Sequence, residues 1–200
     1  ELLKEYNDVL IALSACLKGV VPYHIDAGRT ETAIKKAKEL ASIFDGDRFF
    51  FEVQANMLPE QEKVNRALRE LSRDLSIPLV ATNDCHYLNR ADAEAHDALL
   101  CIQTGKTVDE TKRLKFSNNE FFFKSREEME ASLGKGYDDA LDNTLEIASR
   151  CNYEMEFGKY KYPVFNGHGK KDLNELIAEE ARAGLEKRLQ QREKEDGPIT

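Results

Sequence analysis

Residues 9–83 alternate apolar runs with amphipathic segments, and this alternation constrains the fold more than any other feature. Three apolar runs have the length and composition of buried strands: 9–15, 49–53 and 79–82. Two segments between them, 30–44 and the stretch from Pro59 to just before Pro78, repeat apolar residues at helical spacing. Strand–helix–strand alternation is typical of parallel strands joined by right-handed crossovers. We therefore predict an α/β fold with a parallel sheet.

The rest of the chain is predicted to be mostly helical. Helical patterns cover 92–103 and 138–150, and Ser125 with Glu128 has the spacing of a capping box. Residues 116–123 predict a loop with some strand. Three domains are expected, namely a first domain at 1–152, an extended connection at 153–171 and an amphipathic helix at 172–200 that leads into a further domain.

Asp84 and His86 directly follow the third predicted strand, and Cys16 follows the first. Alternate residues of an extended chain face the same side, so the D-x-H spacing can direct a carboxylate and an imidazole at one point. In parallel α/β folds, chemistry collects where the strands end. Oxygen, nitrogen and sulfur ligands suit Zn²⁺ or Mn²⁺. The pattern predicts that Cys16, Asp84 and His86 share one edge and contribute to a metal site there.

Structural roles for the same residues remain open. Asp84 can cap a turn beside a surface or packed His86, and Cys16 can be a small buried apolar residue. Metal binding also needs more ligands than these three side chains supply. His96 is expected to pack on a helix, while His24 lies in a predicted loop near Cys16. Glu52, inside an aromatic strand, is a candidate for a supporting contact or an edge salt bridge.

Composition excludes several classes of protein. The 200 residues carry a formal net charge of −8, which disfavours binding of the DNA backbone by this segment alone. The four cysteines lack C-x-x-C pairing, which argues against zinc fingers and a disulfide framework and favours a reducing, cytoplasmic location. No apolar stretch is long enough to span a membrane. The start at Glu1 suggests a fragment or a processed product.

Specific blocks of sequence resemble one family. They include Leu10–Leu17, Leu79–Leu88 with its D-x-H-Y motif, and Leu99–Lys106 with I-Q-T-G-K. Over about residues 9–190 the chain resembles the C-family of bacterial replicative polymerases, the DNA polymerase III alpha subunits. The resembling part is the later part of the N-terminal PHP domain, a polymerase-and-histidinol-phosphatase module. Ala15 departs from the family, which usually has glycine before the cysteine.

The resemblance implies a fold and a set of metal ligands. It implies the C-terminal portion of a distorted (β/α)₇ PHP barrel at 1–152, followed by a mostly helical segment leading into the polymerase palm region. Cys16, Asp84 and His86 correspond to the last three ligands of the family's metal cluster. The earlier ligands and the catalytic aspartates of the polymerase would lie outside residues 1–200. Zn or Mn is therefore expected at the PHP site of the intact protein and Mg for polymerisation, whereas these residues alone would bind little or no metal.

The resemblance also implies a function. The parent protein would be a DNA-directed DNA polymerase of chromosome replication, a nucleotidyltransferase. Its partners would be DNA, dNTPs, the proofreading subunit and the sliding clamp, with no membrane. This segment would supply part of a metal site for 3′–5′ exonuclease or phosphoesterase action and would be inactive alone. The alternatives are a structural platform without catalysis and a free-standing PHP phosphatase.

Overall fold

A computed structural model describes residues 1–44, 47–163, 165 and 172–197. Its parallel three-stranded sheet has the order β1-β2-β3, where β1 is Ala12–Leu13, β2 is Phe49–Gln54 and β3 is Leu79–Thr82. Ala12 pairs with Phe49, and Phe51 pairs with Leu79. The predicted α/β class and parallel sheet are confirmed, and closure into a barrel stays a prediction.

The helices follow in chain order. They are α1 (Leu2–Glu5), α2 (Val20–Asp26), α3 (Thr30–Ile43), α4 (Pro59–Leu75), α5 (Ala93–Thr104), α6 (Arg126–Leu133), α7 (Asp138–Arg150) and α8 (Leu173–Asp196). A short 3₁₀ turn at Arg90–Asp92 precedes α5. The predicted capping box is present, because Ser125 accepts from the Glu128 amide and the Glu128 carboxylate accepts from the Ser125 amide.

Two local predictions were wrong. The first strand was expected over 9–15 and spans only Ala12–Leu13. A turn closed by the Leu10 amide and the Asn7 carbonyl precedes it, and Ala15 turns the chain away after it. The loop predicted to hold His24 is helix α2. Pro22 is the third residue of that helix, where the backbone N–H has no partner within the helix and its absence costs nothing.

The core lies between one face of the sheet and the helices. Phe49, Phe51 and Val53 of β2 and Leu79 and Ala81 of β3 point into it. Opposite them are buried residues of five helices: Val21, Ile25, Ala33, Ala37, Val64, Leu68, Leu71, Met129, Ala140 and Leu141. Residues of β2 alternate between the faces, so Phe50, Glu52 and Gln54 point to the other side and are also buried. The helices therefore fix the sheet whose strand ends carry the candidate site.

The chain divides into two compact units, Glu1–Tyr153 and Glu154–Thr200. The first holds the sheet and helices α1 to α7, and the second holds α8. Of the expected connection at 153–171, residues 164 and 166–171 lie outside the described residues, as do 198–200 of the expected final helix. No helix among the described residues combines the length and apolar character needed to cross a membrane.

Candidate metal site at the strand ends

Cys16 lies in a tight turn that follows β1. Ala15 adopts a left-handed backbone conformation, with φ 63°. The Gly19 amide donates to the Cys16 carbonyl over 2.7 Å, which closes the turn. A Cβ atom at Gly19 would lie 2.1 Å from the Ser14 carbonyl oxygen, so only glycine fits there. Because of this turn, the chain leaves the direction of β1 after Leu13, and the strand does not continue.

Asp84 and His86 are neighbours just past β3, although the left-handed backbone of Asp84 departs from the extended chain on which the D-x-H prediction was based. The Nε2 atom of His86 lies 3.6 Å from Oδ1 of Asp84, and each side chain is about one-third exposed, at 37% and 36%. Asp84 also has a left-handed backbone, with φ 53°. The His86 amide donates to the Phe121 carbonyl over 2.8 Å, which fixes the strand exit against residues 121–123.

Cys16 and Asp84 line the same cavity, which has a volume of about 300 Å³. Three side-chain amides, from Gln54, Asn56 and Gln61, line it as well. His86 is not among its lining residues. Within residues 1–44, 47–163, 165 and 172–197, no three His, Cys, Asp or Glu side chains come together as a group that could hold a metal ion. The structure thus brings two of the predicted ligands to one cavity and the third beside one of them.

The chemistry of these groups fits a divalent cation in part. A thiol, a carboxylate and an imidazole are the ligand types that Zn²⁺ accepts, and amide oxygens can add hard donors for Mn²⁺. The Gln61 oxygen Oε1 is buried and has no hydrogen-bond partner among the described residues. Cys16, Asp84 and His86 would hold the ion, and ligands from outside this group would have to complete its coordination shell.

His86 lies in an aromatic cluster that sequence reasoning did not find. Its ring centroid is 5.2 Å from that of His96 and 4.9 Å from that of Phe116. His96 was expected only to pack on its helix, and it does pack, 5.4 Å from Tyr87 and 5.0 Å from Phe116. No spacing rule joins residues 86, 96 and 116. His24 lies on α2 and does not line the cavity.

A chain of buried polar groups crosses the outer face of the sheet. The Glu52 carboxylate accepts hydrogen bonds from the Thr82 hydroxyl over 2.5 Å and from the side-chain amide of Gln54 over 3.1 Å. No described cation pairs with Glu52, so the edge salt bridge considered from the sequence is not formed. Asn65 of α4 accepts from the Gln54 backbone amide over 3.1 Å and donates to the Gln54 carbonyl over 2.8 Å. These contacts fix the end of β2 beside the cavity.

An ion-pair network centred on the buried Lys124 holds residues 120–124 against the strand ends. The Lys124 side chain is fully buried, lies 3.1 Å from Glu120 and donates to the Ala55 carbonyl over 2.5 Å. Arg90 pairs with Glu120 from the other side. Burial lowers the pKa of Lys124, although the Glu120 carboxylate opposes that shift. Asn83 donates to the carbonyls of Glu120 and Phe122, both over 2.7 Å, which fixes the start of the Asp84–His86 segment.

Comparison with known proteins gives one family match and a consistent set of relatives. Residues 1–56 match the family model described as PHP domain. The chain is 44% identical over 170 residues to DNA polymerase III subunit alpha of Thermus aquaticus, covering 82% of the chain and 14% of that protein. The subunit of Treponema pallidum is 45% identical over 155 residues, or 78% of the chain and 13% of that protein. The subunit of Aquifex aeolicus is 38% identical over 204 residues, which cover 98% of the chain and 18% of that protein. The chain therefore spans less than a fifth of the length of each of these relatives.

Proposed function

Because the chain is a homologue of the DNA polymerase III alpha subunits, as the resemblance predicted, we propose that it is a segment of a bacterial replicative polymerase. The parent protein would synthesise DNA from dNTPs with Mg²⁺, together with a proofreading subunit and a sliding clamp. We assign no step of that synthesis to these 200 residues. The four free cysteines agree with a reducing cytoplasm.

Within that protein, the segment would contribute to a metal-dependent phosphoesterase site. The observation that carries this proposal is the cavity shared by Cys16 and Asp84, with His86 Nε2 3.6 Å from the Asp84 carboxylate. PHP domains are generally metal-dependent, and residues 1–56 match that family. Zn²⁺ or Mn²⁺ held there would polarise a phosphodiester and lower the pKa of a water molecule for 3′–5′ trimming of DNA.

The residues of the chain would have distinct roles in that site. The Cys16 thiolate and the His86 imidazole would hold the cation, and the Asp84 carboxylate would hold or bridge it. The aromatic rings beside His86 would limit the access of bulk water to that side.

The test uses the full-length alpha subunit with Asp84→Asn and His86→Ala combined. We expect the double variant to lose trimming of a 3′ end and to lose metal, measured by mass spectrometry of the metals, while DNA synthesis persists. Asp109→Asn is the control, because this exposed carboxylate does not line the cavity shared by Cys16 and Asp84. Unchanged trimming and unchanged metal content in the double variant would contradict the proposal.

A second candidate is a structural platform that braces the polymerase and contacts the other subunits. It is favoured by the position of His86, which does not line the cavity shared by Cys16 and Asp84. The Lys124–Glu120–Arg90 network would then serve rigidity only. A free-standing phosphatase is disfavoured, because the relatives are polymerase subunits more than five times longer than this chain.

A further inference from the structure

Residues 115–119 form a wall between two cavities at the strand ends. Lys115, Phe116 and Ser117 line the cavity shared by Cys16 and Asp84. The same three residues line a second cavity of about 370 Å³, on the side of Tyr87 and His96. A ligand that entered either cavity would therefore contact Lys115 and Phe116.

The wall is fixed at both of its ends. On one side Arg113 makes a bidentate pair with Asp97 of α5, at 2.6 and 2.7 Å, and its side chain is only 5% exposed. On the other side Asn118 donates to the Asn56 carbonyl and accepts from the Glu120 amide, each over 3.0 Å. The intervening residues are thus held in place before any ligand arrives, which reduces the entropic cost of binding.

The groups that the wall presents suit an anion joined to an aromatic ring. Lys115 forms no ion pair within 4 Å among the described residues, and neither does Lys18, which lines the first cavity too. Two ammonium groups beside Asp84 would attract a phosphate to that cavity despite the acidic character of the chain. Phe116 is half-buried against Phe121 and His86 and remains partly open to both cavities.

A buried acceptor points to a ligand that also donates a hydrogen bond. Gln61 is 1% exposed and lines the first cavity, and its Oε1 atom has no partner among the described residues. The Gln61 nitrogen donates to Asn65 over 2.9 Å, which leaves the oxygen for a group in the cavity. A sugar hydroxyl or a base amino group can satisfy such an acceptor.

We propose that this wall binds the terminal nucleotide of a nucleic-acid strand, with Phe116 stacking on the base and Lys115 pairing with the phosphate. The inference rests on the proposed phosphoesterase function and names two substrate-contacting residues that the ligand set does not include. Stacking of a base on an aromatic side chain is favourable for every base, so the site would accept a strand end of any sequence.

The binding arm uses the full-length alpha subunit in EDTA with 8-azidoadenosine 5′-monophosphate as a photoreactive probe. We expect the label to map within residues 113–124 and to be displaced by thymidine 5′-monophosphate. The half-saturating probe concentration should rise about tenfold in Lys115→Ala and in Phe116→Leu. Phe116→Leu fills the space without an aromatic face, and Lys112→Ala is the control, since Lys112 is exposed and lines neither cavity.

The kinetic arm compares two p-nitrophenyl diesters that differ only in the second group, thymidine or methyl. Phe116→Leu should raise KM for the thymidine ester about tenfold without changing kcat, and leave KM for the methyl ester within about twofold. Label found only outside residues 113–124, or half-saturation unchanged in both variants, would overturn the inference. If neither ester is hydrolysed, the phosphoesterase proposal fails, while the labelling result still decides whether the wall binds nucleotides.

Discussion

Ala15 is the residue where local strain and the candidate site meet. Its left-handed backbone, φ 63°, precedes Cys16 and turns the thiol toward the strand ends. Left-handed conformation costs an alanine about 1–2 kcal/mol relative to its ordinary conformations, and glycine avoids that cost. Glycine is also the residue that the resemblance to the C-family polymerases predicts at this position, and the backbone gives a physical reason for that preference.

We expect Ala15→Gly to raise the free energy of unfolding by about 1 kcal/mol, because glycine relieves the strain at positive φ. Urea denaturation followed by circular dichroism measures the change. Ala148→Gly, at an exposed position inside α7, is the matched control and should lower stability by about 1 kcal/mol. A loss of stability in both variants would show that the turn at Ala15 carries no strain.

At the scale of elements, a side chain of α4 takes the place of a neighbouring strand at the end of β2. Gln54 is the last residue of β2, and its backbone amide and carbonyl face the side of β1, which has already ended. The Asn65 side chain pairs with both groups.

Asn65→Leu would leave these two buried groups unpaired and should lower the free energy of unfolding by about 2–4 kcal/mol. Chemical denaturation checks this, with exposed Asn152→Ala expected to change stability by less than about 0.5 kcal/mol.

The pair between α5 and the wall gives a pH dependence. The Arg113 guanidinium beside Asp97 holds the pKa of that carboxyl below its ordinary value. Because the folded-state pKa is the lower one, the pair stabilises the fold above pH about 4 and that contribution is lost as the pH falls through the folded-state value. Asp97→Asn should therefore lower Tm at pH 7, and the difference from the wild type should shrink toward pH 3. A difference that is constant with pH would contradict the ionic origin.

At the scale of the whole molecule, the features that could be predicted from the sequence are those that depend on a local pattern of residues. Apolar runs located the three strands, and D-x-H placed Asp84 beside His86. The predicted extent of β1 was wrong because the strand ends before a turn at Ala15. That turn needs a positive φ, which a glycine would have indicated in the sequence and an alanine does not. The wall was not predicted, since it depends on Asn118 reaching Asn56, 62 residues earlier. Such contacts leave no periodic signal in the sequence.

The isolated 200-residue chain is expected to retain less than one equivalent of zinc or manganese after dialysis. The physical reason is that its described residues contain no group of three potential ligands. Elemental analysis by mass spectrometry gives the stoichiometry, and Cys16→Ser should leave the already low value unchanged. A tightly held cluster of several ions in the isolated chain would contradict this prediction.

The Asn65 contact has a consequence for how β1 can vary. Because the Asn65 side chain supplies the missing partners of β2, β1 can end at Leu13 and continue as the loop that holds Cys16. Extending β1 by four residues would place it opposite Gln54 in the existing register, where its backbone would compete with Asn65 for the Gln54 amide and carbonyl. The Asn65 side-chain amide thus takes the place of a short segment of strand, and Cys16 lies in the loop beside the cavity instead of in β1.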